Sequence, residues 1–210
     1  MITIIDYGMG NVGSILNMLK RIGAAAQISS KAEDIVSADK LVLPGVGSFD
    51  TGMSNLVSSG LRDVLDEKVL GERTPVLGVC LGMQLLSRRS EEGQLPGLGW
   101  IEGETVRFRF DPKTTGLKVP HMGWNTVKPS AASPLFASFI EPPRFYFVHS
   151  YHVVCANLAD VAAKVYYGEE VTAAISRGHV MGVQFHPEKS HTYGMRLFKS
   201  FADLPVPGTT

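Results

Sequence analysis

Short apolar runs alternate with amphipathic stretches along the first half of the chain. Apolar and β-branched residues dominate three brief segments, and these predict buried strands at 2–6, 41–43 and 76–79. Apolar positions recur at helical spacing at 11–22, at 53–70 with a break near Gly60, and from 81 to 88. Strands that alternate with helices predict a mostly parallel central sheet that is flanked by helices on both faces.

The second half has a different pattern. Residues 96–143 are rich in Gly and Pro and predict loops and short strands. Strands are predicted at 144–154, 162–167, 172–177 and 180–185, with a hairpin turn at 177–179 and a closing helix at 191–201. The predicted fold is therefore one α/β domain over 1–202 with an antiparallel β extension in its second half. A C-terminal tail follows over 203–210, and its residues 205–210 are expected to fray.

Composition and charge narrow the class of protein. The chain has 210 residues, of which 44% are hydrophobic, so it can build one sizeable core. Its 20 Lys and Arg residues balance 20 Asp and Glu residues, which gives no reason to expect nucleic acid or a membrane as partner. No apolar stretch is long enough to span a membrane, and the N-terminus lacks a signal-peptide pattern. Two cysteines make no disulfide framework, so a reducing cytoplasm is the expected location.

Cys80 is the candidate nucleophile. It lies in the segment Gly-Val-Cys-Leu-Gly-Met-Gln, between a predicted strand and a predicted helix. Strand, Gly-x-Cys-x-Gly and helix is typical of a nucleophile elbow, in which Gly78 and Gly82 leave room for a tight turn. The N-terminus of the following helix favours a thiolate. The alternative is a buried structural cysteine, which is our interpretation of Cys155, because that residue lacks this context.

His186 and Glu188 are the candidate base and its orienter. They follow a predicted strand in the segment Gln-Phe-His-Pro-Glu. Residues two apart in an extended segment point the same way, so Glu188 can hold one ring nitrogen of His186 while the other faces Cys80. A cysteine, a histidine and a carboxylate can together activate a thiol. The alternatives are a surface His-x-Glu pair and a metal site that includes His191. Because no second spaced cluster of ligands exists, we predict no metal and no cofactor.

The loop at 44–47 is a candidate oxyanion site. It lacks the Gly-Lys-Ser/Thr ending of a phosphate-binding loop. Its two glycines allow backbone N–H groups to approach an oxygen closely, so Gly45, Val46, Gly47 and the N–H group of Leu81 are the candidate donors. The alternative is an ordinary strand-to-helix turn.

The segments around Cys80 and His186 resemble those of the class I, or triad, glutamine amidotransferases, which hydrolyse glutamine and pass ammonia to a synthase. Further segments resemble, within that class, the glutaminase subunits of imidazole glycerol phosphate synthase in histidine biosynthesis. They are Asp-Tyr-Gly-Met-Gly-Asn at 6–11, Pro-Gly-Val-Gly-Ser-Phe at 44–49, Pro-His-Met-Gly-Trp-Asn at 120–125 and Tyr-Phe-Val-His-Ser-Tyr at 146–151. The resemblance extends over residues 1–202.

The resemblance implies roles for individual residues. Cys80 would be the nucleophile, His186 the acid and base, and Glu188 its orienter. Gln84 would help to hold glutamine, and the strand at 45–47, which is thought to rearrange on activation in this family, would stabilise the oxyanion. A last group would lie near the partner interface and the ammonia exit: His121, Met122, Trp124, Asn125 and Tyr146. Core packing is the alternative for Trp124 and Tyr146.

The resemblance also implies a partner, because ammonia released into water would be protonated and lost as a nucleophile. That partner is a cyclase subunit with a (β/α)8 barrel, in a heterodimer with this chain. It would convert a phosphorylated ribulosyl intermediate to imidazole glycerol phosphate and aminoimidazole carboxamide ribotide. Three other interpretations stay open: an amidotransferase of the same branch that serves another synthase, for example in surface-sugar amination; a free-standing γ-glutamyl hydrolase or cysteine peptidase; and an inactive binding subunit.

Overall fold

A mixed β-sheet runs through the middle of the structure, a computed structural model that describes residues 1–130 and 133–206. Within these residues the strand order in the large sheet is β2-β1-β3-β4-β11-β10-β9-β6-β7, while β5 pairs with β8 in a separate ribbon. The strands are β1 (Ile2–Ile5), β2 (Ala26–Ser29), β3 (Lys40–Gly45), β4 (Val76–Cys80), β5 (Gly103–Arg107), β6 (His121–Pro129), β7 (Arg144–His149), β8 (Tyr151–Cys155), β9 (Val161–Tyr167), β10 (Glu169–Arg177) and β11 (Val180–Val183).

The two halves of the large sheet differ in strand direction. The strands β2, β1, β3, β4 and β11 are parallel to their neighbours. From β11 onward through β10, β9, β6 and β7 every pairing is antiparallel. The predicted hairpin is present, because Arg177 pairs with Val180 across the turn. The predicted fold class, a mostly parallel sheet with an antiparallel extension, is therefore confirmed.

Helices cover both faces of the parallel part. They are α1 (Val12–Arg21), α2 (Ala32–Val36), α3 (Phe49–Ser58), α4 (Leu61–Asp66), α5 (Leu81–Leu85) and, after the short α6 (Pro112–Thr115) that lies between β5 and β6 in the chain, α7 (His191–Ala202). Alternate strand residues point to opposite faces, so Ile4 packs with α1 and α7 in one core cluster and Ile5 packs with α2 to α5 in the other. Both faces are buried, which explains why these strands are continuous apolar runs.

Glycines allow β3, β4 and α5 to approach closely around the elbow. A side chain at Gly78 would place its Cβ 2.7 Å from the carbonyl oxygen of Gly82, and one at Gly82 would come within 1.8 Å of the Leu43 oxygen. Gly45 is equally confined, since its Cβ would lie 2.8 Å from the Gly82 nitrogen. These contacts are with backbone, which cannot move aside cheaply. The predicted steric role of Gly78 and Gly82 therefore agrees with the packing.

Gly82→Ala is expected to destabilise the fold by about 3 kcal/mol, because the new methyl group overlaps the backbone of β3. The matched control is Gly13→Ala in α1, where no atom lies within 4 Å of the added Cβ. There the higher helix propensity of alanine should give a small gain, at most about 1 kcal/mol. Urea unfolding of both variants checks the pair, and equal stabilities would contradict the packing argument.

The structure corrects three of the predicted elements. The segment 144–154 is not one strand: it divides at Ser150, because β7 pairs with β6 whereas β8 pairs with β5. The helix after Cys80 ends at Leu85 rather than at residue 88. The Leu85 carbonyl oxygen accepts a hydrogen bond from the Leu98 N–H group at 2.8 Å instead of one from the next helical turn. The helical segment predicted at 53–70 begins earlier, at Phe49, and passes through α4 into a π-helical turn, Glu67–Gly71.

Other differences lie in regions where the pattern is weak or the structure is not described. The edge strand β2 and the short helix α2 were not predicted; β2 is only partly buried and has no strong apolar alternation. In the Gly- and Pro-rich segment, β6 is a nine-residue strand rather than a short one. The predicted frayed tail includes residues 207–210, which lie outside the described residues. No helix in the described part of the chain is long and apolar enough to cross a membrane.

Candidate active site

Three neighbouring parallel strands deliver the candidate residues to one edge of the sheet. Gly45 ends β3 and pairs with Cys80 at the end of β4. On the other side of β4, Val183 of β11 pairs with Val79, so the chain that continues to His186 passes beside Cys80. Carboxyl ends of parallel strands are where α/β folds place their sites.

Cys80 occupies a strained turn. Its φ of +55° lies in the left-handed region, which is uncommon for a residue with a Cβ. The residue is the N-cap of α5 and is buried, with 6% of its surface exposed. Gln184 Nε2 lies 3.9 Å from Sγ, and the Val148 carbonyl oxygen lies 4.0 Å from it. Backbone strain at a buried cysteine fits the predicted elbow.

Glu188 holds one side of the His186 ring. His186 Nδ1 lies 2.8 Å from Glu188 Oε1, and Asn11 Nδ2 donates to the same oxygen at 3.0 Å. Among the described residues, His186 Nε2 and Glu188 Oε2 have no hydrogen-bond partner. Because Glu188 accepts at Nδ1, the free Nε2 is the nitrogen available to substrate and thiol.

Charge interactions shift the pKa values of His186 and Glu188. Burial alone lowers the pKa of His186, but the neighbouring Cys80 thiolate and Glu188 carboxylate outweigh it and raise that pKa to about 10. Burial acts to raise the pKa of Glu188, yet His186 and Asn11 lower it overall. The geometry therefore favours an imidazolium ring beside the Glu188 carboxylate at neutral pH.

Hydrogen bonds also hold the backbone of His186. His186 N–H donates to the Tyr146 carbonyl oxygen at 2.9 Å, and its own carbonyl oxygen accepts from Ser190 Oγ at 2.6 Å. Ser190 Oγ accepts in turn from the Tyr146 N–H group at 3.0 Å. The buried Ser190 thus ties the histidine to β7 and limits how far the ring can move.

A cavity of about 490 Å³ opens beside the thiol. Its walls combine apolar and polar groups, including the side chains of Glu92 and Lys189 with opposite charges. The candidate residues that line it are Val46, Gly47, Cys80, Leu81, Gln84 and His186. The volume is within the range of small-ligand sites.

The candidate oxyanion strand borders this cavity. Gly45 is buried in the sheet, Val46 is 39% exposed, and Gly47 has a φ of +110° that favours glycine. Tyr7 fixes the start of the segment, because its hydroxyl donates to the Pro44 carbonyl oxygen at 2.6 Å. Burial and the nearby Cys80 thiolate raise the pKa of Tyr7, so this donor stays protonated.

Gln84 is buried in the cavity wall. Its Nε2 donates to the Tyr151 carbonyl oxygen at 3.0 Å and to Gln184 Oε1 at 3.1 Å. Both amide protons are therefore used within the protein. The side-chain oxygen remains as the group that Gln84 can offer to a ligand.

The five residues predicted near a partner interface divide between two faces of β6 and β7. Met122 and Trp124 are 60% and 40% exposed, and Trp124 stacks on His191 with ring centroids 5.6 Å apart. Tyr146 is half-buried, with Lys189 Nζ 5.9 Å from its ring. His121 is buried, and its Nδ1 lies 3.0 Å from His149 Nε2, while Asn125 Nδ2 lies 3.3 Å from His121 Nε2. Only part of the group is thus available to a partner.

Several residues of the site were missed as functional by sequence reasoning. Asn11, Gln184 and Ser190 each touch a candidate catalytic residue, and Glu92 and Lys189 line the cavity. Asn11 and Gln184 lie within the segments named in the sequence analysis, and Lys189 and Ser190 directly follow Glu188, so proximity to these segments was the available signal. Their contacts depend on the strand order, which no local pattern reveals.

Comparison with known proteins gives consistent matches over nearly the whole chain. The family described as "Glutamine amidotransferase class-I" matches residues 3–204. A Pseudomonas aeruginosa protein named "Imidazole glycerol phosphate synthase subunit HisH 2" is 56% identical, over 97% of this chain and 100% of its own length. A Methanococcus maripaludis protein of the same name is 54% identical, over 96% and 98%. The "subunit HisH" of Bdellovibrio bacteriovorus is 45% identical, over 97% and 100%.

Solved structures agree with the fold. A "Crystal structure of glutamine amidotransferase" superposes with a TM-score of 0.72 at 21% identity, and covers 95% of this chain and 96% of that one. The "Structure of PurLQS from Thermotoga maritima" gives a TM-score of 0.71 at 18% identity, over 95% and 96%. At these identities the likeness concerns the fold alone.

Proposed function

The chain belongs to the class I glutamine amidotransferase family, and on that premise we propose that it is the glutaminase subunit of imidazole glycerol phosphate synthase. It hydrolyses glutamine at Cys80 and passes the ammonia to a cyclase subunit in histidine biosynthesis. The observation that carries this proposal is the buried array of Cys80, His186 and Glu188 beside a cavity. The names of relatives at 45% to 56% identity support the choice of synthase.

The first half of the reaction forms a thioester. The Cys80 thiolate attacks the side-chain carbonyl carbon of glutamine, and the oxygen that becomes negative is stabilised by N–H groups of Val46, Gly47 and Leu81. His186, which the neighbouring anions keep protonated, donates its Nε2 proton to the leaving nitrogen. The C–N bond breaks, and ammonia leaves.

The second half regenerates the thiolate. The neutral His186 ring accepts a proton from water through Nε2 as the water oxygen attacks the thioester carbon. The carbon–sulfur bond breaks, the new carboxyl group gives its proton to water, and glutamate leaves with Cys80 as thiolate beside an imidazolium ring. Glu188 keeps Nδ1 protonated throughout, because it accepts from that nitrogen at 2.8 Å.

Charged and polar groups of the cavity match the rest of the substrate. Free glutamine carries an α-ammonium and an α-carboxylate group, and the cavity wall contains Glu92 and Lys189. Phe49 N–H donates to Glu92 Oε2 at 2.9 Å, which holds that carboxylate in place. The Gln84 oxygen is available to accept an N–H bond from the ligand.

The partner in this proposal is a (β/α)8 cyclase subunit that forms a heterodimer with this chain. The exposed side chains of Met122 and Trp124, and Tyr146 beside Lys189, form an aromatic and apolar surface next to the cavity. Apolar and aromatic groups of this kind are common at the centres of protein interfaces. A cytoplasmic location and the domain limits 1–202 also stay predictions.

The purified chain is expected to be a poor glutaminase that the partner activates. Adding the cyclase barrel with its phosphorylated ribulosyl substrate should raise glutamate release at least about tenfold, because binding is expected to reorient the N–H groups at 45–47 toward the oxyanion. A barrel of the same fold from an unrelated pathway is the control. High activity of the chain alone would favour a free-standing hydrolase, and activation by a different synthase only would favour an amidotransferase of the same branch.

A further inference from the structure

Gln184 is a fully buried amide in contact with the thiol. It follows β11 directly, in line with Cys80 across the sheet, and its side chain has no exposed surface. Its backbone N–H group donates to the Ala173 carbonyl oxygen at 2.9 Å, which fixes its main chain beside β10. Burying an amide costs free energy unless both of its ends are hydrogen-bonded. Gln184 meets this requirement through contacts with Gln84 and Cys80.

The Tyr151 carbonyl group determines how the side-chain amides of Gln84 and Gln184 are oriented. The Tyr151 carbonyl oxygen can only accept, so the end of Gln84 that lies 3.0 Å from it is the nitrogen. That same nitrogen lies 3.1 Å from Gln184, whose nearer atom must then be the oxygen. The amide nitrogen of Gln184 consequently faces the Cys80 sulfur, 3.9 Å away. The Tyr151 carbonyl group therefore sets the orientation of both amides.

A backbone carbonyl group also lies near the sulfur, and its effect on the thiol is opposite to that of Gln184. The Val148 carbonyl oxygen, 4.0 Å from Sγ, can accept from a thiol but repels a thiolate. The Gln184 N–H group has the opposite effect. A thiolate accepts a hydrogen bond more strongly than a thiol does, so this donor favours the charged form of Cys80.

We propose that Gln184 is a positioning residue, which donates to the Cys80 sulfur and thereby favours the thiolate, with Gln84 holding its amide in the donating orientation. The proposal rests on the proposed role of Cys80 as nucleophile. It gives Gln84 a second role besides contact with glutamine. It also assigns a role to a residue that lies two positions before His186 and is not among the residues that line the cavity.

The test measures the alkylation rate of Cys80 by iodoacetamide across pH, in a Cys155→Ala background so that a single thiol reacts. Gln184→Met keeps the length of the side chain and removes the donor. It should raise the midpoint of the rate profile by about one pH unit. The matched control is Gln27→Met in β2, where a half-buried amide donates to Thr3 Oγ1 at 3.3 Å. That control should leave the midpoint unchanged, and an unchanged midpoint in Gln184→Met would overturn the proposal.

A second measurement avoids any change at Gln184. The side-chain N–H signals of Gln184, followed by NMR, should shift with pH at the alkylation midpoint, and this shift should vanish in Cys80→Ala. A Gln184 side-chain chemical shift that does not change as Cys80 titrates would also overturn the proposal. Neither experiment uses glutamine or a partner, so either can succeed or fail independently of the glutaminase assignment.

Discussion

Replacing Cys80 with alanine is expected to reduce glutamine-dependent synthesis by at least about a thousandfold, because no other group at the cavity can form the thioester. Synthesis from externally supplied ammonia should continue, since the ammonia-using reaction belongs to the partner. The measurement is product formation by the assembled complex with glutamine or with ammonium chloride. This contrast separates loss of the nucleophile from loss of assembly.

The substitution should leave the fold intact. Alanine keeps the Cβ, so the cost of the φ of +55° is almost unchanged, and only a sulfur atom at a cavity wall is lost. Cys155→Ala is the matched control: this thiol is also buried, its pKa is raised to about 11 by burial and by Asp160, and it lies in β8 outside the cavity lining. Glutamine-dependent turnover that survives in Cys80→Ala would refute the mechanism, as would its loss in Cys155→Ala.

Local sequence patterns predicted the parts of the site that are formed by residues close together in the sequence. The elbow at Cys80 needs a strand, two glycines and a turn within a few residues, and His186 and Glu188 are two residues apart. These features depend on sterics and on the period of an extended chain. Their geometry could therefore be predicted before the sheet was known.

Contacts between distant segments could not be predicted in this way. Asn11 reaches Glu188 across 177 residues, and Gln84 reaches Gln184 across 100. Both contacts exist because β1, β4 and β11 end at the same edge of the sheet, and the strand order is set by packing of the whole chain. The same reason explains the division at Ser150, where each half follows a different pairing partner.

Glu188→Gln separates the charge of the orienter from its hydrogen bonds. The glutamine oxygen can still accept from His186 Nδ1 and Asn11 Nδ2, since both bonds go to one oxygen, so the ring should keep its orientation. Loss of the negative charge removes one of the interactions that stabilise the imidazolium form. We expect glutamine-dependent kcat/KM to fall about a hundredfold, less than for loss of the nucleophile. The control is Glu170→Gln, the same change in an exposed pair with Lys164.

The same variant should change the pH dependence of stability. The folded-state pKa of His186 is raised to about 10, so its contribution is complete below the unfolded value of about 6.5 and is lost as pH rises through 10. The lowered pKa of Glu188 acts in the opposite pH range, and its contribution is lost as pH falls below the ordinary value. Glu188→Gln should therefore flatten the unfolding free energy at both ends, and lower the His186 pKa followed by NMR. A His186 titration identical to that of the wild type would show that Glu188 acts through its hydrogen bonds alone.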